Sequence, residues 1–483
     1  MQTHCTLLTT LLAHAAALVW VFPAAAQTFL PASYANALVL AGSALDLSGT
    51  GTAFDRRLGY FSDIYYDNNR NEWWGLSDRG PGGGTLDYST RVQRFTLDIN
   101  ATTGAISNFQ VAQTVLFTNA GLPLTGRAPA VSGVLGNSFD PEGLVINPVT
   151  GNLLVSDEYG PSLYEFNRNG QLIRQFTTPA NLVPKVGTAT DYNSAPPTLT
   201  SGREPNRGFE GLAISPDGKF VYAVLQNGTV QDGWSASSRG LYSRIVKFDT
   251  ATGQAVGQYA YKLESAGQGR GISALVALGN DKFLILERNN RGVGVGATLA
   301  GADKNVFQID LAGATDVSGV NLPATGVFVG AVVKNTNAVM DLDANTQAAL
   351  GNKPLEKWEG LAIGPRLANG SFMVLAGTDN DYSVTQNGTG TQFDVYYRFT
   401  DTDPYASSIQ CPVGTTTGCF LTSNNATAAT LTTDYQLLPG VLQAYTANIN
   451  GYVAAVPEPA AWALMLGGLI GVSGLARQGR SRG

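Results

Sequence analysis

The chain has 483 residues, of which 57 are glycine and only 14% are charged, so a loop-rich and sheet-rich globular protein is predicted. The formal net charge is −6, and without Glu458 and the three arginines near the C-terminus 27 basic and 35 acidic residues leave about −8. This balance argues against a nucleic acid as the main partner, because a phosphate backbone needs a basic face.

The chain begins with an apolar stretch that ends in Ala24-Ala25-Ala26. This pattern is typical of a secretory signal peptide over residues 1–26, cut before Gln27. The stretch lacks the usual Lys or Arg near its start, and a buried N-terminal helix is the alternative interpretation.

Histidine occurs only at His4 and His14, so the exported chain has none. This excludes a Ser-His-Asp triad, a Cys-His pair, a histidine nucleophile for phosphoryl transfer and histidine-ligated zinc or iron. A Gly-x-Ser-x-Gly nucleophile elbow is also absent from the sequence. Catalysis would therefore use carboxylates, Arg, Lys, hydroxyl groups or a metal that accepts oxygen ligands.

Three segments share one pattern, namely 140–159, 208–227 and 357–381. Each has Glu-Gly-Leu, a short apolar run, a turn rich in Gly, Pro or Asn, and a second apolar run. Weaker copies lie at 270–290 and 56–80. The runs are four to six residues long and rich in β-branched and aromatic residues, so each copy predicts a β-hairpin.

A second hairpin signal follows each copy, the last being "DVYYRFT" at 394–400. Two hairpins per unit make a four-stranded antiparallel sheet, and five units predict an all-β fold, a β-propeller of five or six blades over 27–400. A sixth blade would combine 37–49 with the chain after Asp401. An independent β-sandwich is the alternative, and 401–455 would close the ring, cap it or act as a spacer.

Two cysteines remain after the signal peptide, Cys411 and Cys419 in "CPVGTTTGC". Two cysteines eight residues apart in a secreted chain predict a small disulfide loop. A metal site would need more soft ligands than these.

Near the C-terminus, "VPEP" precedes seventeen apolar or small residues and then Arg477, Arg480 and Arg482. Such a run can just span a bilayer. The order resembles the PEP C-terminal sorting signal of Gram-negative bacteria that make extracellular matrix. This resemblance implies that 456–483 is a transient transmembrane anchor, that an exosortase-type enzyme processes it, and that the protein reaches the periplasm, cell surface or extracellular matrix.

The polar ends of the hairpins are expected to meet. Residues before the first strand and after the second lie on the same rim, so in a propeller all of these ends converge on one mouth of the central channel. The predicted neighbours are Glu142 with Asp157 and Glu158, Glu210 with Gln226 and Asn227, Glu359 with Thr378, Asp379 and Asn380, Ser273 with Glu287 and Arg288, and Leu58 with Asp78 and Arg79.

Carboxylates gathered in this way repel one another unless a cation neutralises them. Ca²⁺, which takes six to eight oxygen ligands, or nearby arginines would do so. A metal together with arginines would also bind phosphate. Asp140 and Asp217 are instead assigned to turns and backbone bonds.

Several motifs carry a family resemblance, in the order "LSDRG", "FDPEGL", "VSDEYGPSLYEF", "NRGFEGLAISPDGKFVYAVLQN", "ILERNN" and "EGLAI". Between about 55 and 400 the chain resembles the exported phytase-like family, also called esterase-like activity of phytase. The resemblance implies a propeller hydrolase of phosphate or other esters, by analogy with calcium-dependent β-propeller phytases. The family pattern commonly has an acid where this chain has Gln226.

The leading hypothesis is an exported calcium-dependent hydrolase of phosphoesters. The expected Ca²⁺ ligands are Glu142, Glu210, Glu359, Asp157, Glu158 and Asp379. The expected catalytic residues are Arg79, Arg207 and Arg288 for the phosphate, with Asp78 beside them and Glu287 as a proton carrier. The alternatives are a non-catalytic matrix or surface propeller that binds glycan or protein, and a lactonase-like carboxylic esterase.

Overall fold

A computed structural model of the protein describes residues 28–29, 31–49, 55–267, 269–296, 298–388 and 390–455. The predicted signal peptide and the predicted sorting segment at 456–483 lie outside these residues. The described chain is all-β, as predicted, with three single-turn 3₁₀ helices at Val230–Asp232, Ala348–Leu350 and Asp381–Ser383. Among the residues described, none forms a helix with the length and apolar character needed to cross a membrane.

Five antiparallel sheets, numbered 1 to 5 in chain order, carry most of the strands. The strands are given from the innermost outwards. Sheet 1 contains Asp63–Asp67, Glu72–Leu76, Arg91–Ile99 and Ile106–Leu116, and sheet 2 contains Pro141–Ile146, Leu153–Asp157, Ser162–Phe166 and Leu172–Gln175. Sheet 3 contains Phe209–Ile214, Phe220–Leu225, Tyr242–Asp249 and Gln254–Lys262, and sheet 5 contains Trp358–Arg366, Phe372–Thr378, Gly440–Ala447 and Ser33–Leu40. Sheet 4 contains Arg270–Gly279, Lys282–Asn289 and Lys304–Asp310, and the last of these pairs with both Val333–Lys334 and Met340–Asp341.

The sheets form a propeller-like ring, because each innermost strand contacts the innermost strands of the sheets before and after it, and sheet 5 contacts sheet 1. A hydrophobic cluster fills each gap. For example, Val145 and Leu154 of sheet 2 pack with Leu212 and Val221 of sheet 3. Equivalent clusters join the other neighbouring sheets around the ring. Burial of apolar surface between neighbouring faces therefore holds the ring together.

Sheet 5 is completed by both ends of the described chain. Ser33–Leu40 is its outermost strand and pairs with Gly440–Ala447. The two segments that the sequence suggested for a sixth blade thus lie in the same sheet as the last Glu-Gly-Leu motif. The physical reason is that the edge of this sheet would otherwise remain unpaired, and a strand from the N-terminal region covers it.

A separate sheet is inserted between the second and third strands of sheet 5. Its strands are Phe393–Tyr397, Ile409–Pro412, Phe420–Leu421, Asn424–Ala428 and Gln436–Leu437. It contains the "DVYYRFT" segment, which the repeat pattern had placed in the fifth unit. Cys411 and Cys419 form the predicted disulfide here.

The central channel is closed at one end by the chain itself. A cavity lined by Ile64, Leu144 and residues of the other three innermost strands meets Tyr452 and Val453 at this end. The Val453 amide donates to Leu278 O at 3.3 Å, and the Tyr452 ring packs against Phe372. Glu142, Glu210 and Glu359, at the starts of their innermost strands, lie at the opposite end. Short two-stranded pairs complete the fold at Thr28–Phe29 with Ile449–Asn450, Thr118–Asn119 with Leu122–Pro123, Lys185–Val186 with Ala189–Thr190, and Trp234–Ser235 with Ser238–Arg239.

Candidate functional site

The Glu-Gly pairs form β-bulges at one end of the innermost strands. In sheet 2, Glu142 and Gly143 lie opposite the single residue Ser156. The extra residue recurs at the same place in sheets 3, 4 and 5, at Glu210, Ser273 and Glu359. A bulge changes the direction in which the side chains of its strand point, and here it directs the glutamates to the channel mouth.

The glycine of this motif allows neighbouring innermost strands to approach closely. A Cβ atom on Gly143 would lie 2.3 Å from the carbonyl oxygen of Glu210. The Ser156 hydroxyl accepts from the Gly143 amide at 2.7 Å and donates to that same carbonyl at 2.6 Å. These contacts fix sheet 2 against sheet 3 at the mouth, and they position Glu142 beside Glu210.

Carboxylates outnumber cations at the mouth. The carboxylates, all buried, are Asp78, Asp140, Glu142, Glu158, Glu210, Glu359, Asp379 and Asp381, and the nearby cations are Arg79, Arg207, Arg288 and Lys357. Two sets of three carboxylates have oxygens within 4.8 Å of one another. We call Asp140, Glu142 and Glu158 the first acidic group, and Asp78, Asp379 and Asp381 the second.

The first acidic group is only partly neutralised. Arg79 lies 2.5 Å from Asp140 Oδ2 and 3.6 Å from Glu158 Oε2. Among the side chains that the structure describes, Glu158 Oε1 has no hydrogen-bond partner, and neither do Glu210 Oε2 and Glu359 Oε2. Buried carboxylate oxygens without a partner are costly, so this donor set fits a hard cation that prefers oxygen ligands.

The pKa values of the carboxylates in and beside the first acidic group are also raised. Burial raises the pKa of Glu142 well above its usual range, and the charges of Glu210 and Asp140 add to the effect. Burial and Asp140 raise the pKa of Glu158 to about 7. Burial and the charge of Glu158 also raise the pKa of Glu210. The protein alone therefore supplies too little positive charge to keep all of these carboxylates ionised.

The second acidic group has its own cation. Lys357 Nζ lies 2.5 Å from Asp379 Oδ2 and 2.8 Å from Asp381 Oδ1. Asp78 accepts from the Gly80 amide at 2.9 Å. Lys357 thus supplies positive charge to two of the three carboxylates of this group.

The segment that carries Asp381 has an unusual backbone. Asp381, Tyr382 and Ser383 have φ values of 46°, 56° and 55°, in the left-handed region that such residues rarely adopt. The side chain of Asn380 accepts from the Tyr382 amide at 3.1 Å, and the Ser383 hydroxyl donates to Val395 O at 2.6 Å. These bonds hold Asp381 over Lys357 against the local conformational preference.

Two further arginines predicted for the site lie at the mouth. Arg288 donates to Ser273 Oγ at 2.9 Å and to Glu359 Oε1 at 2.5 Å. Arg207 donates to the side-chain oxygen of Gln226, whose amide nitrogen donates to Glu210.

Two other predicted residues serve different contacts. Asp157 accepts from the backbone amides of Asp140 at 2.9 Å, Tyr159 at 3.2 Å and Gly160 at 2.8 Å, so its oxygens shape the turn. Glu287 points to the gap between sheets 3 and 4. There its carboxylate accepts from the Tyr261 hydroxyl and the Lys334 ammonium, both at 2.5 Å.

Three of the mouth residues were not placed in the site by the sequence analysis. Asp140 was assigned to a turn, yet it belongs to the first acidic group. Asp381 and Lys357 were not predicted. Their positions in the sequence could have indicated them. Asp140 and Lys357 directly precede the Pro-Glu-Gly and Trp-Glu-Gly motifs, and Asp381 lies two residues after Asp379.

Comparison with known proteins gives distant relatives. An "Uncharacterized secreted protein" of Arthroderma benhamiae is 24% identical over 417 residues, covering 67% of this chain and 80% of that protein. Among solved structures, a streptogramin B lyase matches with a TM-score of 0.28 and 12% identity, covering 86% of this chain and 98% of that one. The Dos1 propeller matches with a TM-score of 0.24 and 10% identity, covering 80% and 68%.

The sequence model of one protein family matches residues 56–382. These residues contain the innermost strands of all five sheets and both acidic groups. The chain therefore belongs to the phytase-like family, described as esterase-like activity of phytase.

Proposed function

We propose that this protein is an exported, cation-dependent hydrolase of phosphoesters, with its site at the acidic mouth of a five-bladed β-propeller. The observation that carries the proposal is the set of unpartnered, buried carboxylate oxygens of Glu158, Glu210 and Glu359 beside the first acidic group. Ca²⁺ takes six to eight such oxygens, so it is the proposed ion. Each of the five sheets is taken as one blade.

The proposed ligands are the first acidic group, Glu210 and Glu359. Asp157 and Asp379 are left out of this set, because backbone amides bind both oxygens of Asp157, and Asp379 belongs to the second acidic group, with Lys357. When bound, Ca²⁺ would polarise a phosphoryl oxygen and offset its negative charge.

The chain's own residues would position the substrate. Arg288 and Arg79 are ion-paired with Glu359 and Asp140, so they orient these carboxylates. Arg207 is the cation left for the substrate. Because the mouth carboxylates are buried, bulk water is largely excluded, which strengthens every electrostatic interaction at the site.

Export is proposed on two grounds. The N-terminal segment has the pattern of a signal peptide, and the relative from Arthroderma benhamiae is described as secreted. We further propose that 456–483 acts as the sorting signal, anchors the protein in the membrane transiently and is processed by an exosortase-type enzyme.

The test uses residues 27–455, which contain every sheet and core cluster described above. The protein is stripped of metal and assayed, with and without Ca²⁺, on a phosphomonoester, a phosphodiester and a carboxylic ester. We expect Ca²⁺-dependent turnover of a phosphoester that falls by about 100-fold in Glu142→Gln and Glu158→Gln. The matched control is Glu264→Gln, since that side chain is 48% exposed and lies outside the mouth.

The other outcomes separate the alternatives. Turnover of the carboxylic ester alone would indicate a lactonase-like esterase. Stabilisation by Ca²⁺ without turnover of any substrate would indicate a binding propeller. Phosphoester turnover that persists without metal, or in both glutamine variants, would contradict the proposed site.

A further inference from the structure

Arg207 differs from the other cations at the mouth. Arg79, Arg288 and Lys357 each lie within 2.5 Å of a carboxylate oxygen. In the described part of the chain, Arg207 donates instead to two neutral oxygens, the side-chain oxygen of Gln226 and, at 2.7 Å, the carbonyl of Asn206. Its charge is therefore not used in an ion pair.

Gln226 is the reason for this difference. Its amide oxygen accepts from Arg207, and its amide nitrogen donates to Glu210 Oε1. The neutral amide thus stands between a guanidinium group and a carboxylate, and both of its ends are used. A carboxylate at this position would pair with Arg207 and would repel Glu210.

Arg207 has a hydrogen-bond donor at the mouth that is unused in the described part of the chain. Its Nε–H group is buried and has no partner among the residues that the structure covers. Burial lowers the pKa of Arg207, the charge of Glu158 acts against this effect, and the guanidinium groups of Arg239 and Arg288 add to it. Arg239 is itself paired with Glu204. The residue is only partly buried, so a ligand in the mouth can reach it.

We propose that Arg207 is the subsite for the anionic group of the substrate, a phosphoryl oxygen, and that Gln226 is the positioning residue that keeps Arg207 free and oriented for it. The inference rests on the proposed function, and it adds a reason for the choice between bonds. A site with an unpaired guanidinium group favours a charged phosphoester over a neutral carboxylic ester, because charge-assisted hydrogen bonds are the stronger ones.

The test measures binding, so it does not depend on turnover. Phenylphosphonate, whose C–P bond is not hydrolysed, is titrated into residues 27–455 in the presence of Ca²⁺, and its Kd is measured by calorimetry. Arg207→Gln is expected to raise the Kd about tenfold to hundredfold, and Gln226→Glu is expected to do the same by pairing with Arg207. Gln226→Met, which adds no charge, is expected to raise it only a few-fold.

Two controls separate folding from recognition. Arg127→Gln removes an exposed arginine that pairs with Asp87 at 3.0 Å, and it should leave the Kd unchanged. Arg207→Gln and Arg127→Gln should also keep the Ca²⁺-induced shift in Tm, since neither arginine is a proposed ligand or hydrogen-bonds to one in the described part of the chain. Wild-type protein that does not bind phenylphosphonate, or binding that is equally tight in Arg207→Gln and Gln226→Glu, would overturn the inference.

The outcomes for the two proposals are distinguishable. If wild-type protein shows no Ca²⁺-dependent turnover but binds phenylphosphonate in a way that depends on Arg207, the result would contradict the proposed hydrolase and support the anion subsite. If turnover is observed, Gln226→Glu should raise KM for a phosphomonoester more than it lowers kcat. A purely structural role for Gln226 would instead lower Tm and leave KM unchanged.

Discussion

Lys357 and Asp379 form a buried ion pair at the mouth of the ring, with Nζ 2.5 Å from Oδ2. The same ammonium group contacts Asp381 at 2.8 Å. The first acidic group has no lysine of this kind among the described residues, and it includes an unpartnered oxygen of Glu158. The two acidic groups are thus similar in composition but differ in what neutralises them.

Replacing Lys357 by Met should destabilise the protein strongly. Removing one partner of a buried pair leaves Asp379 and Asp381 without a counter-charge, so the free energy of unfolding should fall by about 3 kcal/mol. Urea unfolding measures the change. The control is Lys219→Met, because that side chain is 64% exposed beside Asp217 and its loss should cost less than about 1 kcal/mol. Equal effects of the two substitutions would refute the assignment.

The close approach of sheets 2 and 3 gives a second prediction. Gly143→Ala should destabilise the protein by about 2 kcal/mol or more, because the added Cβ would meet the Glu210 carbonyl at 2.3 Å. Gly319→Ala is the control, since no heavy atom lies within 4 Å of its Cβ position. Thermal unfolding of both variants measures the effect, and an unchanged Tm for Gly143→Ala would show that the strands are not in this contact.

The segment that closes the far end of the channel gives a third prediction. Tyr452→Ala removes a ring that packs against Phe372 with centroids 4.9 Å apart, so we expect a loss of about 2 kcal/mol of stability. Val149→Ala, at a position that is 65% exposed, should have almost no effect. If chemical unfolding gave the same midpoint for both variants, the segment would not belong to the folded core.

Lys304 gives a prediction on pH. Its side chain is fully buried, and burial lowers its pKa from 10.5 to about 8, although Asp343 lies 3.7 Å away. The folded state therefore binds fewer protons than the unfolded state between about pH 8 and 10.5, and stability should rise with pH in this window.

The measurement for Lys304 is the free energy of unfolding relative to Lys304→Met, from pH 7 to 10. The difference between wild type and variant should be constant below pH 8 and should then shift in favour of wild type by about 2 kcal/mol or more. A flat difference over the whole range would contradict the lowered pKa.

The sequence predicted the hairpins well because a local signal determines each of them. Glu-Gly-Leu, an apolar run and a turn recur near Glu142, Glu210 and Glu359, and all three form innermost strands. How the ring closes could not be read in the same way. The pairing of Ser33–Leu40 with Gly440–Ala447 joins segments that are 400 residues or more apart, and neither segment carries the motif.

The candidate site was predicted in part, for a related reason. Glu287 and Arg288 are neighbours on one strand, so their side chains point to opposite faces and only Arg288 reaches the mouth. Both faces of this strand are buried, so its apolar pattern does not show which of the two does so. Asp140 and Asp381 were missed because their roles depend on the neighbouring sheets and on Lys357.

The most direct test of the central claim is calorimetric titration of Ca²⁺ into metal-free residues 27–455 of the wild type, Glu142→Gln and Asp379→Asn. Our account predicts that Ca²⁺ binds the wild type, that Glu142→Gln weakens binding by about tenfold or more, and that Asp379→Asn, beside Lys357, leaves the affinity nearly unchanged. Absence of Ca²⁺ binding, or binding that survives in Glu142→Gln and is lost in Asp379→Asn, would contradict it.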